Sequence, residues 1–405
     1  MSINKTRKYD FENTLPRKNI GSAKWELMYQ WKHDVSDGII PLSVADMEFK
    51  NPPEITEGLK EYLDRLILGY STRYADYDNA VINWLKRKHG YSVSPEMIMQ
   101  TPGIVNAFFA AVNAFTEKGD GVIVMRPVYY PFSMAIEMNE RELVNCSLLC
   151  DKDNYYTIDY EKFERLAKQP KNKLLIFCSP HNPVGRVWKK EELKKLAEIA
   201  LENNVIVFSD EIWNDLVMPG YKHTLMASIS KEIAANTITA TAPSKTFNVA
   251  GLATSNIIVE NETLRKKYDE MLQRMRSSSV NALGFKACEI AYTQCDKWLE
   301  ELLQVLDTNQ RLVKNYFDAN FSMLKSRFIE GTYLQWIDFR ALGMDNQTLE
   351  NFMHNEAQFF TDEGYVFGSE GDGFERINVA CPTKILKRHL EMLGDALLKK
   401  KLLSL

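Results

Sequence analysis

Short apolar, β-branched runs recur along this chain, and most give way to a turn carrying a polar or charged residue. They are GVIVM (121–125), LLIFC (174–178), VIVF (205–208), TITAT (237–241) and NIIV (256–259). A run that is apolar at nearly every position belongs to a strand covered on both faces. Helical spacing lies between several of them. In KKEELKKLAEIALENN (189–204), Leu193, Leu196, Ile199 and Ala200 share one face. Buried strands alternating with amphipathic helices predict an α/β fold: a mostly parallel sheet flanked by helices. Ligands of such sheets bind beyond the carboxyl ends of the strands. The residues that follow each run are therefore the candidates for chemistry.

The texture changes after about residue 290. One long helical stretch is expected over about 288–325, then strand-like pieces at 333–339 and 376–381, then a terminal helix from about Lys384. This predicts a second, smaller α+β domain. The expected division is an N-terminal segment (1–43) packing with the small domain, a large domain (44–287) and a small C-terminal domain (288–405).

Several function classes are disfavoured. Lys plus Arg number 50 and Asp plus Glu 54, a net charge of −4 in 405 residues. That balance argues against a nucleic-acid partner, whose phosphates demand a basic surface. The uncharged stretch 101–116 is interrupted by Asn106 and Asn113 and is too short to span a bilayer, so no membrane association is expected. Residues 1–19 lack the apolar centre of a secretory signal, which predicts a cytoplasmic protein. The six cysteines form no CxxC, and Cys146 and Cys150 have no supporting ligand pair. Reduced thiols and no metal are expected.

Three consecutive runs end in suggestive residues. SPHNPVGRVW follows the second run, with Asn182 held in a Pro/Gly turn. SDEIW follows the third and places Asp210 at a buried strand end, where a carboxylate needs a partner. APSKTFNVAGL follows the fourth and carries Lys245 ahead of small residues. Each has a plain structural reading: a connection, a helix cap, a turn. Together they suit a lysine of lowered pKa acting as a nucleophile toward a carbonyl, with an acid to pair a cofactor's ring nitrogen. Pyridoxal 5′-phosphate (PLP) requires that combination. No G-x-G-x-x-G follows a strand, which argues against a nicotinamide enzyme.

In order and spacing these motifs resemble the fold-type I PLP-dependent enzymes of the class I/II aminotransferase group. VADMEF (44–49), LGYS (68–71), RPVYYPF (126–132) and GFERINVACP (373–382) resemble in particular the MalY/PatB-type cystathionine β-lyases. The resemblance spans nearly the whole chain. It implies that Lys245 holds the cofactor covalently and later moves the Cα proton. It implies that Asp210 pairs with the pyridinium nitrogen, Asn182 bonds the ring oxygen O3′ and Tyr129 stacks on the ring. Gly103, Ile104 and Val105, opening a helix, would cradle the phosphate through backbone N–H groups. Ser244, and Tyr70 of a neighbouring subunit, would add to that cradle, so a homodimer with shared sites is implied. Arg376 would bind the substrate α-carboxylate, although alone an Arg in ERINVA reads as a surface residue.

The sequence also departs from the group's pattern. Trp213 stands where aminotransferases often carry Tyr and the lyase branch His, and indole donates a hydrogen bond but cannot shuttle a proton. Ala242 replaces a hydroxyl residue three before the lysine, and Ala253 a phosphate-binding Arg eight after it. The resemblance implies a carbon–sulfur β-lyase that cleaves L-cystathionine or related thioethers to homocysteine or another thiol, pyruvate and ammonia. The alternatives are an amino-acid aminotransferase using a 2-oxo acid and a non-catalytic ligand-sensing regulator.

Overall fold

The computed structural model describes residues 8–400. Its centre is a seven-stranded sheet of β1 (Ile98–Thr101), β2 (Gly121–Val124), β3 (Glu142–Asn145), β4 (Asn172–Cys178), β5 (Ile206–Asp210), β6 (Thr237–Thr241) and β7 (Ser255–Ile258). The spatial order is β1-β7-β6-β5-β4-β2-β3. The pairs β3–β2, β2–β4, β4–β5 and β5–β6 are parallel, while β7 is antiparallel to both its neighbours. The sheet is thus mostly parallel, as the apolar runs predict. All residues of β2, β6 and β7 are buried, because helices cover both faces. Burying each Val, Ile or Leu stabilises the fold by about 1.5–3 kcal/mol.

Helix α1 (Ile104–Phe115) directs its apolar face at the sheet, and Gly103 caps its start with φ +90°. Helix α2 (Lys190–Glu202) buries Leu193, Leu196, Ala197 and Ala200, while Ile199 lies half-buried at the flank. The expected single stretch 288–325 is instead two helices, α3 (Ala282–Gln294) and α4 (Asp296–Asn320). Cys295 breaks them apart: its backbone leaves helical geometry (φ −101°, ψ 16°), and its carbonyl accepts the Leu299 N–H to open the next helix.

A four-stranded antiparallel sheet follows, built from β8 (Lys325–Ser326), β9 (Leu334–Asp338), β10 (Asp362–Glu363) and β11 (Phe374–Asn378) in the order β8-β9-β11-β10. Helix α5 (Thr383–Lys399) starts after Pro382 and packs on α4. The Leu42 N–H donates to the Phe360 carbonyl, the Asn378 N–H to the Leu42 carbonyl, and the Ile40 N–H to His389 Nε2. All six cysteines are free, and no helix among the described residues is long and apolar enough to cross a membrane.

Candidate active site

Strand register brings the site together. Cys178 on β4 lies opposite Asp210 on β5, and Asp210 opposite Ala240 on β6. Three carboxyl ends therefore stop side by side: Asp210 closes β5, and the turns beyond β4 and β6 carry Asn182 and Lys245, all into one cavity of about 240 Å³. Gly103, Ile104, Val105, Tyr129, Trp213, Ser244 and Arg376 line the same cavity. Every candidate from the sequence is there except Tyr70, which is fully exposed on this chain and outside the lining.

Asp210 is buried, and its Oδ1 accepts only the Ile212 N–H, at 3.2 Å. Burial pushes its carboxyl up to about 7; the Ile212 N–H and Lys245 pull against that rise. No helix follows Asp210, so the cap reading fails for it. Lys245 Nζ donates to the Ala45 carbonyl at 2.8 Å. Burial and the nearby Arg376 lower the lysine to about 8, against the opposing pull of Asp46, Asp210 and Asp362.

Arg376 is buried, which overturns its reading as a lone surface residue. Strand pairing sets it opposite Asp362, and the two form an ion pair at 2.6 Å. Its Nη1 donates to Asn182 Oδ1 at 2.8 Å. That bond fixes the amide, so the Asn182 NH₂ is the group left to donate. One N–H on each terminal nitrogen of Arg376 stays uncommitted. Trp213 packs edge-on against Tyr333 at 4.9 Å, and Lys245 Nζ lies 5.7 Å from its ring centre. Burial pushes the Tyr129 hydroxyl up to about 12, keeping it protonated.

Sequence reasoning missed several participants. Asp362 holds Arg376, and the Tyr333 hydroxyl donates to the same Ala45 carbonyl as Lys245, at 2.9 Å. Thr254 and Cys178 also line the cavity. Burial keeps the Cys178 thiol well above its ordinary value, hence protonated and inert. His181 is buried, lowered to about 3 by desolvation, and packs edge-on against Trp188 rather than lining the cavity.

The donor set fits PLP. Asp210 is a buried carboxyl lacking a bonded cation, Asn182 offers an amide donor, and the first turn of α1 offers N–H groups without intrahelical acceptors. A mostly parallel sheet whose strand ends aim a lysine, an aspartate and an asparagine into one cavity defines an α/β enzyme working through a primary amine. The chain belongs to the aminotransferase class I and II family, whose profile matches residues 37–393. It is 39% identical to the cystathionine beta-lyase PatB of Bacillus subtilis (strain 168) over 388 residues, covering 96% of this chain and 100% of that protein. Cystalysin from Treponema denticola, whose crystal structure contains a pyridoxal 5′-phosphate cofactor, superposes with a TM-score of 0.95 at 51% identity, covering 97% of this chain and 99% of that one. The PLP-bound C–S lyase from Staphylococcus hominis superposes with a TM-score of 0.89 at 30% identity, covering 97% and 99%.

Proposed function

We propose that this protein is a PLP-dependent carbon–sulfur β-lyase acting on L-cystathionine or related cysteine thioethers, releasing a thiol, pyruvate and ammonia. The observation that carries this reading is the convergence of Lys245, Asp210 and the Asn182–Arg376 pair on one cavity, in a chain similar throughout to C–S lyases. When bound, PLP supplies an electron sink for the carbanion formed at the substrate Cα.

The chain's own residues do the rest. Arg376 takes the substrate α-carboxylate on its uncommitted N–H groups while Asp362 and Asn182 hold its plane. Lys245, lowered to about 8, is partly neutral near neutral pH and so can accept the Cα proton. The Ala45 carbonyl keeps its amine on that side of the cavity. Asp210 gives a ring cation its counter-charge in a dry setting. Trp213 cannot relay a proton, so proton traffic falls to Lys245. Elimination and transamination both begin with that proton transfer, and the similarity to C–S lyases along the whole chain favours elimination.

Supporting contacts also suit the division at residues 43 and 287, since Ile40 and Leu42 bond to His389, Phe360 and Asn378. Residues 1–7 and 401–405 of the outer parts lie outside the described residues. A homodimer in the cytoplasm completes the reading, with Tyr70 serving the partner's phosphate site and the free thiols matching a reducing compartment.

The test is pyruvate release from L-cystathionine by PLP-loaded protein with no 2-oxo acid present. Sustained release is expected, with Lys245→Ala losing it by at least about a thousandfold. Turnover that appears only when a 2-oxo acid is added would instead establish transamination.

A further inference from the structure

A second cavity, of about 790 Å³, adjoins the first. The two share Val44, Ala45, Lys245 and Ala250, and the second extends between the segment 15–23 and the segment 44–51. A substrate whose α-carboxylate sits on Arg376 and whose Cα faces Lys245 can extend its sulfur-bound half only where there is room. This cavity is the room that begins at Lys245.

Arg17, Asp46 and Glu48 line it, and with the buried Lys24 they form four interlocked charges. Arg17 Nη2 and Nη1 bond the two carboxylate oxygens of Asp46 at 2.9 and 3.1 Å, and Nη1 also reaches Glu48 at 3.0 Å. Lys24 Nζ lies 3.1 Å from Glu48 and 3.5 Å from Asp46. Lys24 and Glu48 are sealed, with side chains 1% exposed, whereas Arg17 and Asp46 are 21% and 23% exposed. The inner pair is thus a foundation and the outer pair is the face that a ligand meets. The face is held rigidly: Asn378 and Lys24 both bond the Asp46 carbonyl, and Trp25 Nε1 bonds Glu48. Buried ion pairs seldom improve stability over apolar packing of the same volume. A cation and an anion fixed side by side on a cavity wall do match one kind of group well: an ammonium and a carboxylate on a single carbon.

We infer that Arg17 and Asp46 form a subsite for the distal α-amino-acid end of the leaving thiol. Asp46 oxygens keep lone pairs for the distal ammonium, and Arg17 Nε, which bonds nothing else, donates to the distal carboxylate. The subsite rests on the β-lyase reading and adds to it the determinant that separates sulfur-linked diamino acids from simple S-alkylcysteines.

The experiment compares kcat/KM for pyruvate release from L-cystathionine and from S-ethyl-L-cysteine, whose leaving thiol carries no charge. Arg17→Met and Asp46→Asn are each expected to lower the cystathionine-to-S-ethylcysteine ratio about 10- to 100-fold, mainly through KM for cystathionine. Arg17→Lys should recover part of that loss. A ratio unchanged in both variants overturns the subsite and leaves the four charges as a clamp on the N-terminal segment. A measurement on the unaltered holoenzyme guards against misfolded variants. S-(3-carboxypropyl)-L-cysteine differs from L-cystathionine only in lacking the distal amino group. Its KM is expected to be at least about tenfold higher, and equal KM values overturn the proposal. Failure of the β-lyase reading looks different, because the unaltered enzyme would then release pyruvate from none of the three.

Discussion

Asp210 and Lys245 share one cavity, and burial shifts each toward its neutral form. The carboxyl rises from 3.8 to about 7 and the amine falls from 10.5 to about 8. Neither shift benefits the empty fold. Between pH 4 and 7 the folded protein holds a proton on Asp210 that the unfolded chain has lost. Stability therefore falls as pH rises through that window and stays lower above it. Asn in its place keeps the acceptor for the Ile212 N–H and carries no charge. Cofactor-free Asp210→Asn is thus expected to match the unaltered protein near pH 4 and to exceed it at pH 8, by on the order of 2–4 kcal/mol. Loading with PLP should close or reverse the gap, since a ring cation would then partner the aspartate. Denaturant melts at the two pH values, with and without cofactor, check this. A gap independent of pH would mean that Asp210 is not held in that state. Asp210 and Lys245 were legible in the sequence because each lies within four residues of the end of an apolar run. Ala45 was not, because it contributes a backbone carbonyl, which every residue type possesses.

At the scale of elements, β4 and β5 were legible because helices on both faces leave their central runs apolar, and β6 (TITAT) because its residues are mostly β-branched. The edge strands β1 (IMQT) and β3 (ELVN) lack that protection and carry mixed sequences, so they went unread. The reversed direction of β7 was equally hidden, since NIIV is apolar whichever way it runs. Asp362 enters the site only through antiparallel register with Arg376, a relation between strands that composition does not encode. The start of α1 is the element feature with the sharpest consequence. Gly103 holds φ +90° with open space where a Cβ would stand, so Ala there meets backbone strain and no clash. Relaxing a strain of about 1–2 kcal/mol would turn the first N–H groups of the helix away from the cavity. Gly103→Ala is expected to weaken PLP binding about tenfold in an absorbance titration. Gly90 provides the control: it caps the helix Ala75–His89 at φ +66°, also in open space and outside the cavity lining. Gly90→Ala, in the left-handed helical region at ψ 17°, should cost about 1–2 kcal/mol of stability and leave cofactor affinity alone. Equal losses of affinity would refer the effect to general destabilisation.

For the whole molecule, the segment after helix Pro53–Leu63 decides whether one chain suffices. Ile67, Leu68 and Tyr70 are 89%, 78% and 111% exposed, the three highest values among the exposed large apolar side chains of the described residues, and they fall within four positions of one another. Clustered exposed apolar side chains suit an interface, and the proposed homodimer would use them. A two-fold pairing would cover it on both copies at once, each lending Tyr70 to the other's phosphate cradle. Cradle and interface would then fail together. The double substitution Ile67→Asp with Leu68→Glu should shift sedimentation from a dimer to the 46.7 kDa monomer, and the monomer should lose PLP on dialysis. Tyr70→Phe should separate the two effects. It keeps the ring and hence the dimer, but removes one hydrogen bond to a charged group, weakening cofactor binding about 10- to 100-fold. A monomeric double variant that retained PLP and full lyase activity would show that each chain completes its own site. The phosphate would then rest on the α1 N–H groups and Ser244 alone.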